Sequence, residues 1–340
     1  MSDQRDPVEA AADDSRDLYD VATWEERTSV DGAAVAIYWL LTRAAKWFAI
    51  LLALGILVWI GGLTAFIEPA VGLLTLLSVV PALALTIYVY RSDVTTREPL
   101  SLLVTTFILS ILFATFAALI NTAARGLFQP LGAIGLVLFY FLIVGPGEET
   151  VKLLAVRLYA YTDARFDSVV DGTVYGAISG LGFATIENSL YIVTQLENAG
   201  ELAELSLGLS AIAAGGDIAA IRALAGPGHV IYSAIAGYYL GLAKFNPDNR
   251  GPIVVKGLII AAAIHATYNS TVGVGSFAIA SLTGLPQLAS FFVFVIIFDG
   301  IFGLYLLRKI WHYRSEYRAV DAGGKTSVST DPASRLEERT

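Results

Sequence analysis

The chain has no cysteine, a single methionine and only three histidines in 340 residues. Without thiols, a disulfide framework, a thiolate metal site and a cysteine nucleophile are all excluded. Charge is also scarce. Asp, Glu, Lys and Arg make up 15% of the residues, against about 25% in an ordinary soluble domain. Lysine is rare beside arginine, and the net charge is −8, so no basic surface for nucleic acid is expected. Much of the acidity sits in one place, since residues 1 to 31 hold ten Asp or Glu and three Arg. Such a segment reads as a solvated tail. It opens acidic and polar, so no cleavable signal peptide is expected there.

What is abundant is hydrocarbon. Hydrophobic residues reach 56% and the mean hydropathy is +0.65, which places the chain among all-α, polytopic membrane helical bundles. Runs of about 20 apolar residues give about eight transmembrane helices, near 46–67, 69–90, 100–121, 131–160, 169–194, 218–243, 253–274 and 287–309. This divides the chain into an acidic N-terminal tail (1–45), a membrane-embedded domain (46–310) and a polar C-terminal tail (311–340). Positive charge alternates between the connections. Arg43 and Lys46, Arg91 and Arg97, Arg157 and Arg165, Lys244 and Arg250, and Arg308, Lys309, Arg314 and Arg318 fall on one side, whereas the other side has Arg125 alone. By the positive-inside rule both termini are cytoplasmic and the protein is a multi-pass component of the cell membrane.

Against that background the intramembrane ionisable residues stand out, because a charge at bilayer depth is expensive and marks a functional site by default. The fourth span reads Gly145-Pro146-Gly147-Glu148-Glu149, with Lys152 following. Proline and glycine predict a kink or break there, placing both carboxylates in the first turn of a new segment, at the positive end of its dipole. Lys152 lies three and four residues on, within reach of either. A structural Glu–Lys pair accounts for one glutamate and leaves the other unexplained. The fifth span carries Gly172, Gly176, Gly180 and Ala184 at four-residue steps, a ridge for close helix packing. Glu187 lies nearly two turns beyond Gly180 and so faces protein, with Asn188 and Tyr191 on the adjoining surface. In the sixth span Gly226-Pro227-Gly228 predicts a second break ahead of His229 and Ser233, with Arg222 either a snorkelling anchor or an anion-facing charge. The seventh span supplies His265 and, one turn on, Asn269. The stretch 195–217 reads as an amphipathic surface helix, a re-entrant piece or a gate.

These side chains suit hydrolysis of an amide in a water-filled pocket. A glutamate can activate water; histidine and asparagine can stabilise an oxyanion. His229, His265 and one glutamate, Glu187 among them, would also satisfy zinc or another divalent metal, while a metal-free glutamate mechanism fits the same residues. An ion-coupled transporter is the alternative from another class, since carboxylates, histidines and broken helices also mark ion relays.

The motifs Glu148-Glu149-x-x-Lys152, Asp171-Gly172-x-x-Tyr175-Gly176, Gly180-Leu181-Gly182-Phe183-x-x-x-Glu187-Asn188, His229-x-x-x-Ser233 and His265-x-x-x-Asn269 resemble, in order, those of the PrsW family of intramembrane proteases. Arg97-Glu98-Pro99, with Asp93 before it, resembles that family's acidic-proline motif. The likeness covers roughly residues 80 to 310. It implies a membrane-embedded endopeptidase, usually labelled a metalloprotease, that cuts membrane-anchored regulators such as anti-sigma factors. The wider group also holds CAAX endopeptidases acting on prenylated tails, in which a histidine stands where this chain has Glu187. The resemblance implies Glu148, Glu149, Glu187, His229 and His265 as catalytic residues, supported by Lys152, Asn188, Ser233 and Asn269.

Overall fold

The computed structural model describes residues 16–95 and 97–328, with Val8 and Ala11 before them; the side chains of Lys46, Glu204 and residues 321–328 are outside the description. The expected tails 1–45 and 311–340 therefore lie partly outside the described residues. Among those residues the regular elements are all helical, apart from one isolated bridge between Tyr19 and Thr23. Residues 1–55 and 56–340 form two compact units.

In the first unit, Thr28 and Asp31 cap a helix reciprocally. The Asp31 amide donates to Thr28 Oγ1 at 3.2 Å, and the Thr28 amide donates to Asp31 Oδ2 at 2.7 Å. This helix, α1 (Ser29–Trp59), starts well before the expected position 46. The apolar run from Ala33 to Leu41 extends the pattern backwards past Arg43.

The second unit continues with a short α2 (Thr64–Ile67), α3 (Pro69–Tyr90), α4 (Leu100–Phe128), α5 (Gly132–Phe139), α6 (Gly145–Arg157), α7 (Val169–Ala199), α8 (Leu209–Lys244), α9 (Arg250–Thr283) and α10 (Gln287–Val328). Seven helical stretches among the described residues are long and apolar enough to cross a membrane. One of them, Leu100–Arg157, has 58 residues. At 1.5 Å per residue it would run about 87 Å, nearly three hydrocarbon thicknesses. It is folded in two at Gly132, whose φ of 58° reverses the chain so that α6 packs back on α4. With that stretch counted as two crossings, the expected eight are recovered.

Two local expectations change. The sixth span is not broken at Gly226-Pro227-Gly228, because α8 runs unbroken through Pro227 for 36 residues. Proline removes one backbone donor, but Gly226 lies against Ala82 of α3 and Gly228 against the Tyr232 ring. The surrounding protein therefore supports the helix across the gap. The stretch 195–217 is not a separate surface piece either: α7 extends to Ala199, Gly200 caps it at φ 72°, and α8 begins at Leu209. The fourth span, by contrast, does change register where expected. Tyr140–Val144 form a π-helical turn, after which α6 starts with Pro146 in its first turn.

The core is the contact of α7 with α8. Gly172, Gly176 and Gly180 face the α8 backbone so closely that a Cβ on each would stand 2.2, 2.3 and 2.4 Å from the carbonyl oxygens of Gly237, Ser233 and His229. Gly237 and Gly241 return the contact against Gly172 and Val169. Small residues let two backbones approach in lipid, where dispersion and not water exclusion drives association. Gly176→Ala is expected to cost about 1–3 kcal/mol by overpacking, read as a lower midpoint of thermal unfolding in detergent. An unchanged midpoint would contradict this packing.

Candidate active site

Five helices deliver the polar residues to one place. The π turn sets the phase of α6, so that its first turn presents Glu148 and Glu149 about 100° apart around the axis. They have different surroundings. Glu149 is fully buried: its Oε1 accepts from Lys152 Nζ at 2.7 Å and from His265 Nδ1 at 2.9 Å, and its Oε2 accepts from Ser233 Oγ at 3.3 Å. Glu148 faces a cavity of about 570 Å³. Its Oε1 accepts from Asn121 Nδ2 of α4 at 3.0 Å, and its Oε2 is buried with no hydrogen-bond partner among the described residues, 3.7 Å from His265 Nε2.

Lys152 is also buried, with Nζ 4.2 Å from the centre of the Phe183 ring. It donates a second bond to His229 Nδ1 at 3.0 Å. An ammonium can only donate, so His229 keeps its proton on Nε2 and gives it to Glu187 Oε2 at 2.8 Å. Glu187 pairs in turn with the Arg222 guanidinium, which also donates from Nε to Asn188 Oδ1 at 2.9 Å. Of the two readings of Arg222, the geometry selects the anion-facing one.

All five residues named as catalytic therefore meet in one network. Glu148, Glu187, His229, His265 and Asn269 line the cavity; Glu149, Lys152, Ser233 and Asn188 stand behind its wall. The acidic-proline motif is elsewhere, with Glu98 accepting from the Tyr175 hydroxyl, three turns of α7 before Glu187. Sequence reasoning missed Asn121, which anchors Glu148, and Asp299, whose Oδ1 accepts from Tyr232 beside the His265 ring at 2.8 Å. Asp299 carried the same signal as Glu148, an acid inside an apolar span. Asn121 carried none beyond being polar.

The donor set fits a metal ion. Glu148, His229 and His265 can offer one atom each, all within 4.8 Å of one another. The unsatisfied Glu148 oxygen supports that fit, as does the Glu149 bond, which fixes the proton on His265 Nδ1 and turns its Nε2 lone pair toward the cavity. The structure thus groups Glu148, not Glu187, with the two histidines. A metal on His229 Nε2 would replace the proton now shared with Glu187, and Lys152 would then rest on Glu149.

A helical membrane bundle enclosing carboxylates and imidazoles around a shared cavity has the groups that a membrane-embedded hydrolase needs. A sequence model described as PrsW family intramembrane metalloprotease matches residues 98–301. The chain is 30% identical over 200 residues to protease PrsW of Shouchella clausii, covering 58% of this chain and 81% of the relative. It is 29% identical over 193 residues to protease PrsW of Bacillus subtilis, covering 56% and 78%. The corresponding enzyme of Clostridioides difficile is 27% identical over 199 residues, covering 58% and 77%. No solved structure matches. The chain belongs to the PrsW family of intramembrane metalloproteases. It is a protease, and its substrates are membrane-embedded proteins.

Proposed function

We propose that this protease hydrolyses a peptide bond of a membrane-anchored regulatory protein, of the anti-sigma-factor kind, whose cut segment enters the cavity between α4, α6, α7, α8 and α9. The observation that carries the mechanism is a buried carboxylate oxygen with no hydrogen-bond partner among the described residues, Glu148 Oε2, at the cavity wall beside two imidazoles. That oxygen takes the proton of the attacking water. Asn121 fixes the plane of the carboxylate from its other oxygen. Glu149 holds the His265 ring in one tautomer, and Arg222 holds Glu187 against His229.

Asn269, one turn after His265 on the same wall, supplies an amide to the developing oxyanion. His229 and His265 would hold zinc or another divalent ion next to the Glu148 base, and when bound the ion would polarise the carbonyl and acidify water. A peptide in a helix has its amides satisfied internally. The substrate must therefore unwind, and Tyr140, Arg125 and Tyr191 on the wall offer replacement hydrogen bonds. The alternation of basic loops supports cytoplasmic termini for this chain.

The test uses purified full-length protein in vesicles with a single-span reporter, unmodified or prenylated. Cleavage of the unmodified reporter, abolished by a chelator and restored by a divalent metal, is expected. Cleavage restricted to the prenylated reporter would refute the substrate class, and activity indifferent to the chelator would refute the metal.

A further inference from the structure

The acidic-proline motif, left unused by the catalytic network, forms a cluster of its own. Asp93 and Glu98 come from the connection between α3 and α4, and Asp171 from the first turn of α7; one oxygen of each lies within 4.8 Å of the others. Asp171 is sixteen residues before Glu187 on α7, about 24 Å along the axis. This is a separate place from the cavity.

Glu98 is 3% exposed and Asp171 is 0% exposed, and no Lys, Arg or His forms an ion pair with any of the three among the described residues. Their partners are neutral donors. Thr95 donates to Asp93 Oδ1 from its amide at 3.0 Å and its hydroxyl at 2.9 Å. The Tyr175 hydroxyl donates to Glu98 Oε2, while the amides of Asp167 and Ser168 donate to Asp171 Oδ2 at 2.6 and 2.8 Å. Asp171 Oδ1 is also taken, by the Ser168 hydroxyl and by Thr95 Oγ1 at 3.5 Å, but the second oxygens of the other two are not. Glu98 Oε1 and Asp93 Oδ2 are buried and have no hydrogen-bond partner among the described residues. Two such atoms at one spot need a physical reason.

Three close carboxylates, two of them with a bare oxygen, repel one another unless a positive species lies among them. Hard divalent cations take all-oxygen shells of this kind, built from carboxylates, hydroxyls and water. We propose that Asp93, Glu98 and Asp171 bind a divalent cation, Ca2+ or Mg2+, that pins the α3–α4 connection to the start of α7. Tyr175 and Thr95 orient two of the carboxylates, leaving the free oxygens to the ion. The competing occupant is a proton. Burial, with the neighbouring Asp171 and Asp93 charges, pushes the Glu98 carboxyl up to about 8, so a neutral Glu98 would relieve the same repulsion.

The experiment separates the two. Full-length protein in detergent is stripped with EDTA and titrated with Tb3+, whose emission is excited through a tyrosine held next to the ion, here Tyr175. Saturable emission is expected, displaced by CaCl2 or MgCl2, with the better competitor identifying the natural ion. It is expected to be lost in Glu98→Gln and in the milder loop variant Asp93→Asn, and kept in His265→Ala, which touches the other metal-capable group. The same cation should raise the melting temperature of the stripped wild type and not that of Glu98→Gln. Emission that survives both carboxamide substitutions would overturn the proposal. So would a melting temperature that ignores cations while Glu98→Gln melts like wild type, the result that a bound proton predicts.

Discussion

Glu148→Gln is expected to lower cleavage of a membrane reporter by about 10²–10⁴-fold, the range for losing a general base, while the protein still inserts and keeps its melting temperature. Glutamine preserves the shape and, with its one oxygen toward α4, the bond from Asn121, and it turns an NH2 group toward His265. What it loses is the ability to accept a proton. Metal content measured on the same variant should stay close to that of wild type, because His229 and His265 remain. His265→Ala should lose activity and metal together. If Glu148→Gln cleaved at the wild-type rate, the unpartnered oxygen would have no part in the chemistry, and the assignment to Glu148 would fail. Glu149→Gln makes the contrast. Its carboxylate is occupied by Lys152, His265 and Ser233, so its loss should act through the orientation of His265 and be accompanied by a fall in stability that Glu148→Gln does not show.

Lys152→Met should destabilise the fold by about 3–5 kcal/mol, the cost of leaving one member of a buried ion pair without its partner. Lys152 is 1% exposed and Glu149 0% exposed, so neither charge reaches bulk solvent. His229 loses a donor in the same change. The measurement is an unfolding midpoint in detergent, made on Lys152→Met, Glu149→Leu and the double variant. The double variant should recover much of the lost stability, since removing both charges also removes the cost of burying them, yet it should stay inactive because His265 loses its orienting carboxylate. Equal midpoints for the single variant and wild type would mean that the pair is not buried as described.

The contrast between the two glutamates also shows where sequence reading stopped. Adjacent carboxylates after a Gly-Pro-Gly break announce a site, and Lys152 at i+3 and i+4 announces a partner for one of them. Which one is partnered depends on the helix phase after the π turn at Tyr140–Val144, and on Ser233 and His265, which arrive from helices more than 80 residues away. Arg222 could be read two ways because its anion, Glu187, sits on a different helix. Asp299 was legible and overlooked; Asn121 was not legible. Pro227 misled, since a missing backbone donor is visible in the sequence while the packing of Ala82 and Tyr232 that sustains the helix is not.

Composition, hydropathy and the spacing of basic loops determined that this protein is a helical membrane bundle, and the identity and order of its ionisable residues determined its family. Both are sums over short stretches of chain, so no tertiary contact is needed to compute them. Only the tertiary structure decided that Glu148 is the carboxylate left unsatisfied, that Glu149 serves a histidine, and that Asp93, Glu98 and Asp171 share one buried corner. Whether a buried oxygen is satisfied is set by the groups that other helices bring to it, and a linear pattern does not hold that information.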